Sequence, residues 1–297
     1  MGLPVLFSLS LFLCLGLPAA RASPVPTSRV TILYDAFGGH SGLTRDWGFA
    51  ALVEYGGKRI LFDTGNDADI FARNVKALGV DLRRLDFVVV SHRHGDHTSG
   101  INYLLRVNPR VKIYAPKEGF GVFGADLPSS FYRRDSTLPD SMRYFDAAPS
   151  AELRFGTPWP EADFHWIDSL TEVAPGMAII PTVSNNPGTL ELRELSLAIR
   201  TPEGLVLLVG CSHPGIETIL QASRPWGDRV RLIFGGLHLV TSPDSAITRL
   251  AAALHDQWRV DQIAPGHCTG EPAFAELRRA FGRRYVYAGL GTRTEVP

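Results

Sequence analysis

Residues 91–97 read Ser91-His92-Arg93-His94-Gly95-Asp96-His97 and follow directly on the unbroken apolar run Phe87-Val88-Val89-Val90. Such a run is the pattern of a strand buried on both faces. Three imidazoles and a carboxylate packed into six residues behind it are hard to satisfy inside a core and wasteful on a surface. As a flexible exposed loop, the cluster would bind metal only adventitiously. Set between a buried strand and a helix, it predicts a built metal site. Imidazole and carboxylate donors suit a zinc-type ion, and four ligands in so short a loop reach two adjacent ions with less strain than one. Gly95 supplies the backbone freedom for the turn.

The rest of the chain supports a layered frame for that loop. Val30–Tyr34, Phe49–Val53 and Arg59–Phe62 are short β-like runs, the last two joined as a hairpin through Tyr55-Gly56-Gly57-Lys58. From Asp69 the apolar positions Ile70, Phe71, Val75 and Leu78 fall at helical spacing and stop at Gly79. A second helix is predicted near 98–106 and a strand over Val111–Tyr114. Residues 116 to about 170 are rich in Pro, Gly, Ser and aromatics without a sustained period, which predicts a loop-rich excursion over one face. Order returns with strands at 178–180, 195–199 and 205–209, the last pair a hairpin through Pro202-Glu203-Gly204. Then come a helix at 215–222, a strand at 230–234, a helix at 244–257, a strand at 260–264, a helix at 272–281 and a last strand around 285–287. Each half of the chain runs from a β-hairpin into β/α units, an α/β architecture.

Six of the nine histidines (His92, His94, His97, His213, His238 and His267) stand within a few residues after a predicted strand. Sites of layered α/β proteins gather at such carboxyl ends. His40, His165 and His255 read as surface or packing residues, although Gly38-Gly39-His40-Ser41-Gly42 is also a candidate site entrance. Arg133, Arg134 and Arg143 are either contacts for an anionic substrate or solvated charge.

With 30 basic against 30 acidic residues, the chain has no electrostatic footprint for nucleic acid, so a small-molecule partner is expected. Residues 1–22 carry the apolar stretch Leu3–Leu17 and the small-x-small site Ala20-Arg21-Ala22, which read as a signal peptide. The expectation is export to the periplasm or the exterior, with residues 23–297 as one domain and no stable membrane contact after cleavage. An uncleaved anchor is the alternative, because no Lys or Arg precedes the apolar stretch. Two cysteines then remain, Cys211 and Cys268, each near a histidine. They suit either one disulfide or thiol chemistry beside a metal.

The loop His92–His97 resembles the signature of the metallo-β-lactamase-fold metallohydrolases, and the resemblance runs from about Val30 to Gly291. It implies a four-layer αββα sandwich of two mixed sheets flanked by helices. Ile60-Leu61-Phe62-Asp63-Thr64-Gly65 resembles the family's strand-ending Asp-Thr-Gly, whose Asp orients the site from behind the ligands. Gly210-Cys211-Ser212-His213-Pro214-Gly215, Gly235-Gly236-Leu237-His238-Leu239 and Gly266-His267-Cys268-Thr269-Gly270 resemble one subgroup, the dihydropterin-linked ribofuranosylaminobenzene phosphate synthase-like proteins. By that pattern His92, His94 and His213 hold a first divalent ion and Asp96, His97 and His267 a second, with Cys211 or water between them. Zinc is the first choice of metal, with iron or manganese as alternatives. The sequence departs from commoner members in two ways: no His stands in a Pro-Gly-His context between 170 and 200, and Cys211 replaces the usual bridging Asp. A small buried cysteine is the plain alternative for Cys211. His238 is a candidate for substrate binding, proton donation or a further ligand, or else a core or capping histidine.

Two close cations lower the pKa of a shared water and polarise a carbonyl or phosphoryl oxygen. The first expectation is therefore a dinuclear-metal hydrolase of a small ester, lactone, lactam or phosphoester, with metal-bound hydroxide as nucleophile and Asp96 positioning it. The subgroup resemblance implies an alternative, a transferase condensing a dihydropterin with a phosphoribosyl-aminobenzene compound. A third is a metal-binding or redox protein without hydrolytic turnover, in which Cys211 and Cys268 carry the chemistry.

Overall fold

The computed structural model describes residues 1–2, 28–124, 133–144 and 155–297. The proposed signal segment, beyond its first two residues, and parts of the 116–170 excursion lie outside the described residues. Strand β1 (Arg29–Tyr34) pairs antiparallel with β2 (Ala50–Tyr55), which turns into β3 (Lys58–Phe62). The turn closes on the pair Tyr55↔Lys58, and Gly56 and Gly57 both take positive φ (56° and 77°), the backbone a two-residue hairpin turn requires. Helix α1 (Ala68–Ala77), capped by the Asp67 carboxylate, leads to β4 (Phe87–Val89), parallel to β3. Two short helices, α2 (Gly95–Thr98) and α3 (Ile101–Val107), then lead to β5 (Lys112–Pro116).

The helix predicted near 98–106 is thus two helices, broken at Ser99-Gly100. A side chain at Gly100 would begin 2.1 Å from the Thr64 carbonyl, so the break lets the end of β3 press against the metal-type loop. Strands β6 (Asp163–Ile167) and β7 (Thr171–Ala174) lie at the end of the segment read as an irregular excursion and just beyond it. Each is the terminal strand of a sheet and only partly buried, so neither needs the apolar alternation that would reveal it in sequence.

The second half is a meander of β7, β8 (Met177–Val183), β9 (Arg193–Thr201) and β10 (Gly204–Val209), followed by parallel strands β11 (Val230–Gly236) and β12 (Gln262–Gly266). Helices α4 (Ile216–Ser223) and α5 (Asp244–Ala252) cross between them, and α6 (Glu271–Phe281) follows β12. No strand forms at 285–287. Tyr285 makes a single bridge to Ile263, and the chain instead crosses to the first sheet as β13 (Arg293–Glu295), antiparallel to β1. The sheet orders are β13-β1-β2-β3-β4-β5-β6 and β12-β11-β10-β9-β8-β7.

Both sheets are buried on two faces, which explains the continuous apolar runs. Val206, Leu208 and Phe234 meet Ile60, Phe62 and Val89 between the sheets, whereas Leu205, Leu207 and Val209 face α4, α5 and α6. Leu61, Val88 and Ile113 pack outward against Phe71 and Val75 of α1 and Leu104 of α3. The result is a four-layer αββα sandwich, as expected. The carboxyl ends of β3, β4, β10, β11 and β12 open toward one rim.

Candidate metal centre

The first loop is set by Asp63, which ends β3 in a left-handed conformation (φ 56°) and is fully buried. Its Oδ1 accepts the Ser91 N–H at 2.7 Å, and its Oδ2 accepts the Ser91 hydroxyl at 2.7 Å. The same Oδ2 lies 2.7 Å from His97 Nδ1, which donates to it. With its single proton committed to Asp63, Ser91 Oγ accepts from His92 Nδ1 at 2.8 Å. Both rings are thereby fixed with Nε2 turned away from the β4 end, the orientation that metal-ligating histidines require. Asp63, the residue expected to orient the site, thus bonds both Ser91 and His97.

The facing loops come from the other sheet. Cys211, Ser212 and His213 follow β10, and their three backbone N–H groups all donate to the buried Glu194 carboxylate of β9, at 2.9, 2.7 and 2.9 Å. His267 follows β12 at φ 46°, and its N–H is held by both oxygens of Asp35 at 3.1 Å. Asp35 stands just past β1, so one sheet anchors a residue of the other. Tyr144 adds a third hold: its hydroxyl donates to the His267 carbonyl and accepts from Gly270 N–H at 2.7 Å. Tyr144→Phe leaves both buried groups without this partner, and a loss of about 1–3 kcal/mol in unfolding free energy is expected by denaturant titration.

The six side chains converge as two triplets. His92 Nε2 and His213 Nε2 lie 3.1 and 3.2 Å from His94 Nδ1. His267 Nε2 lies 3.1 Å from His97 Nε2 and 3.2 Å from Asp96 Oδ2, and His97 Nε2 is 3.7 Å from that oxygen. Cys211 Sγ is 3.2 Å from His97 Nε2, on the side of the second triplet. Nitrogens sharing a tetrahedral zinc stand about 3.3 Å apart, given bonds of about 2.0–2.1 Å. At this spacing the lone pairs repel one another unless a proton or a metal ion sits among them. These donors fit divalent ions, which the fold implies.

Burial, followed by neighbouring imidazoles, holds His92 and His213 well below the ordinary histidine range. Burial brings His94 down to about 4, so it too is neutral and ready to ligate. Burial would also lower His97, but the Asp96 and Asp63 carboxylates outweigh it and push the group up to about 9. Burial works against ionisation of Asp96, yet His97 and His267 hold it below the usual carboxylate range. The two shifts are one fact: this pocket pairs a carboxylate with a cation, a proton when no metal is bound.

Glu194 behaves differently. Burial pushes it up to about 7 despite the three N–H groups it accepts. A carboxyl raised above its unfolded value stabilises the fold fully below about pH 4.5 and loses that contribution as pH rises through 7. The swing is about 3 kcal/mol. Metal-free wild type is therefore expected to lose thermal stability relative to Glu194→Gln between those limits. Parallel melting curves across that range would refute this.

Other predicted residues fall as follows. Cys211 and Cys268 are buried free thiols, so the disulfide alternative is not formed. His238, at φ 50°, sits after β11 with its ring 4.2 Å from that of His213. The two line a cavity of about 490 Å³ with Ser212, Asn186 and Arg249. Arg133 binds Asp244, Arg134 binds Glu271, and Arg143 binds Asp140 and the Ser136 carbonyl. The three are engaged within the protein. His40 is exposed, and His165 and His255 pair with neighbouring aspartates.

Sequence reasoning missed Asp35, Glu194 and Tyr144. Asp35 had a readable signal, an acidic residue directly after the apolar run Val30–Tyr34, the same place relative to its strand that Asp63 holds.

The metallo-beta-lactamase superfamily model matches residues 44–223. The 7,8-dihydropterin-6-methyl-4-(beta-D-ribofuranosyl)-aminobenzene-5'-phosphate synthase of Methanocaldococcus jannaschii is 28% identical over 263 residues, covering 81% of this chain and 86% of that protein. The crystal structure of Tm1679, a metal-dependent hydrolase of the beta-lactamase superfamily, is 28% identical and superposes with a TM-score of 0.68 over 91% of this chain and 99% of that one. A diphosphatase from the PhnP family shares the fold at 14% identity and a TM-score of 0.53, covering 91% and 97%.

Proposed function

The chain belongs to the metallo-beta-lactamase superfamily, and from that premise we propose that it is a divalent-metal-dependent hydrolase of a small ester, lactone, lactam or phosphoester. The observation that carries the proposal is the meeting of two donor triplets, each drawn from both sheets, beside an open cavity. His92, His94 and His213 would hold one ion, and Asp96, His97 and His267 the other, with Cys211 adjoining the second. Bound there, zinc or a similar ion lowers the pKa of water and polarises the scissile group.

The protein's own residues do the rest. Asp63 and Ser91 fix the rings of His97 and His92, and Glu194 fixes the strand end that carries His213. Asp96 orients the attacking water, and the cavity beside His213 receives the substrate. His238 lines the wall of that cavity. Metal analysis of the purified protein, with turnover of chromogenic esters, a phosphodiester and a cephalosporin, tests this reading. A metal content well below two ions together with no turnover would defeat it.

A transferase joining a dihydropterin to a phosphoribosyl-aminobenzene compound is the second reading, favoured by similarity to the synthase over most of both chains. Product mass after incubation with both compounds decides between them. Residues 1–22 are proposed as a cleaved export signal; a purified protein starting near Ser23 supports this, and one starting at Met1 in a membrane fraction overturns it.

A further inference from the structure

Behind the two triplets lies a third group of donors. A side chain at Gly236, at the end of β11, would begin 2.6 Å from Cys268 Sγ and 3.3 Å from the Cys211 Cα. The thiol of Cys268 occupies the room that glycine leaves, 3.6 Å from the Cys211 carbonyl. Cys211 Sγ, Cys268 Sγ and one ring nitrogen of His238 all lie within 4.8 Å of one another. Both thiols are buried, and His238 Nδ1 is buried without a hydrogen-bond partner. His238 reaches this place only by taking a left-handed backbone, which residues with a side chain adopt rarely and at some strain.

The Gly210 carbonyl would lie 2.6 Å from the same position, so backbone packing also requires this glycine; what apolar filling does not explain is the ring of His238 turned onto the Cys268 thiol, to which it hydrogen-bonds. The atoms gathered are those of a sulfur-rich metal site. Zinc–sulfur bonds of about 2.3 Å place two thiolates on one tetrahedral ion about 3.8 Å apart, within the spacing observed. We infer that Cys211, His238 and Cys268 form a third metal site, which takes a thiophilic ion such as zinc, cadmium or copper(I). Soft thiolate donors select such ions, and a coordinating thiol gives up its proton to the solvent as the ion binds. Cys211 stands between this site and His97, so one sulfur adjoins both the second triplet and the third site.

The test is a cadmium titration of reduced full-length protein, followed by thiolate-to-metal charge-transfer absorption and elemental analysis. Wild type should bind about three ions per chain, and Cys268→Ala about two, with at least about half of the charge-transfer intensity lost. Cys268→Ser, closer in size, should behave like the alanine variant, and circular dichroism confirms that both fold. Asp96→Ala should keep most of the charge-transfer band. If it keeps every ion as well, the dinuclear reading fails while the sulfur site stands. Unchanged stoichiometry and absorption in both folded Cys268 variants would overturn the inference. So would saturation of wild type at two ions, or a protein isolated without free thiols, which would mark the pair as a disulfide instead.

Discussion

Asp96→Ala is expected to lower kcat/KM on any substrate the protein turns over by at least about a thousandfold, while the chain still folds. Asp96 is the one carboxylate of the second triplet, and its Oδ2 lies against both His267 and His97. Without it, that triplet keeps only its two imidazoles and loses its carboxylate charge. A metal contributes several kcal/mol of charge stabilisation in the transition state. A loss of about 4 kcal/mol is roughly a thousandfold in rate. The backbone around Asp96 does not depend on the carboxylate: Phe49 N–H bonds the Asp96 carbonyl, and Gly95 N–H bonds the Gly124 carbonyl. A melting temperature near that of metal-free wild type, with activity gone and one ion fewer, is the anticipated pattern. Equal activity in variant and wild type would remove Asp96 from the mechanism.

Glu194→Ala should be the most damaging single change to stability. The carboxylate is fully buried and satisfies the three consecutive N–H groups of Cys211, Ser212 and His213. An unsatisfied buried donor costs about 1–3 kcal/mol, so three cost at least about 3 kcal/mol. For a chain of this size, that lowers the melting temperature by about 6–12 °C. The same change frees Ser212, held at φ 61°, and with it the direction of His213. Metal content should therefore fall as well, and differential scanning calorimetry with elemental analysis reads both effects. A shift below about 2 °C would show that water replaces the carboxylate without cost.

What could be read from the chain alone follows from burial. Strands covered on both faces, such as β4 and β10, announce themselves as apolar runs, and the loop behind β4 carries its donors within six residues. The sandwich was legible for that reason; the grouping of His213 and His267 with that loop came from the resemblance of their motifs, and the six side chains do lie together. Edge strands β6, β7 and β13 were not, because their side chains are half in water and follow no period. Glu194 was invisible for a related reason. A single acidic residue beside Arg193 at the start of a strand looks like solvent-facing charge, and only the three-dimensional approach of residues 211–213 reveals its task. Tyr144 lay in the stretch read as irregular, although its hydroxyl bridges two positions of the His267 loop. Cys268 and Gly236 were quoted in motifs, but that the one makes room for the other is a fact of close packing.

Each donor triplet draws on both halves of the molecule: His92, His94, Asp96 and His97 from the end of the first sheet, His213 and His267 from the second. Any ion held there works as a rivet across the seam. Prying the halves apart must break coordinate bonds at two points, and Asp35, which grips His267 from the opposite side, resists the same shear. Chelation should thus loosen the joint between the sheets before it disturbs either one, so that amide exchange quickens first along the rim strands facing the interlayer core.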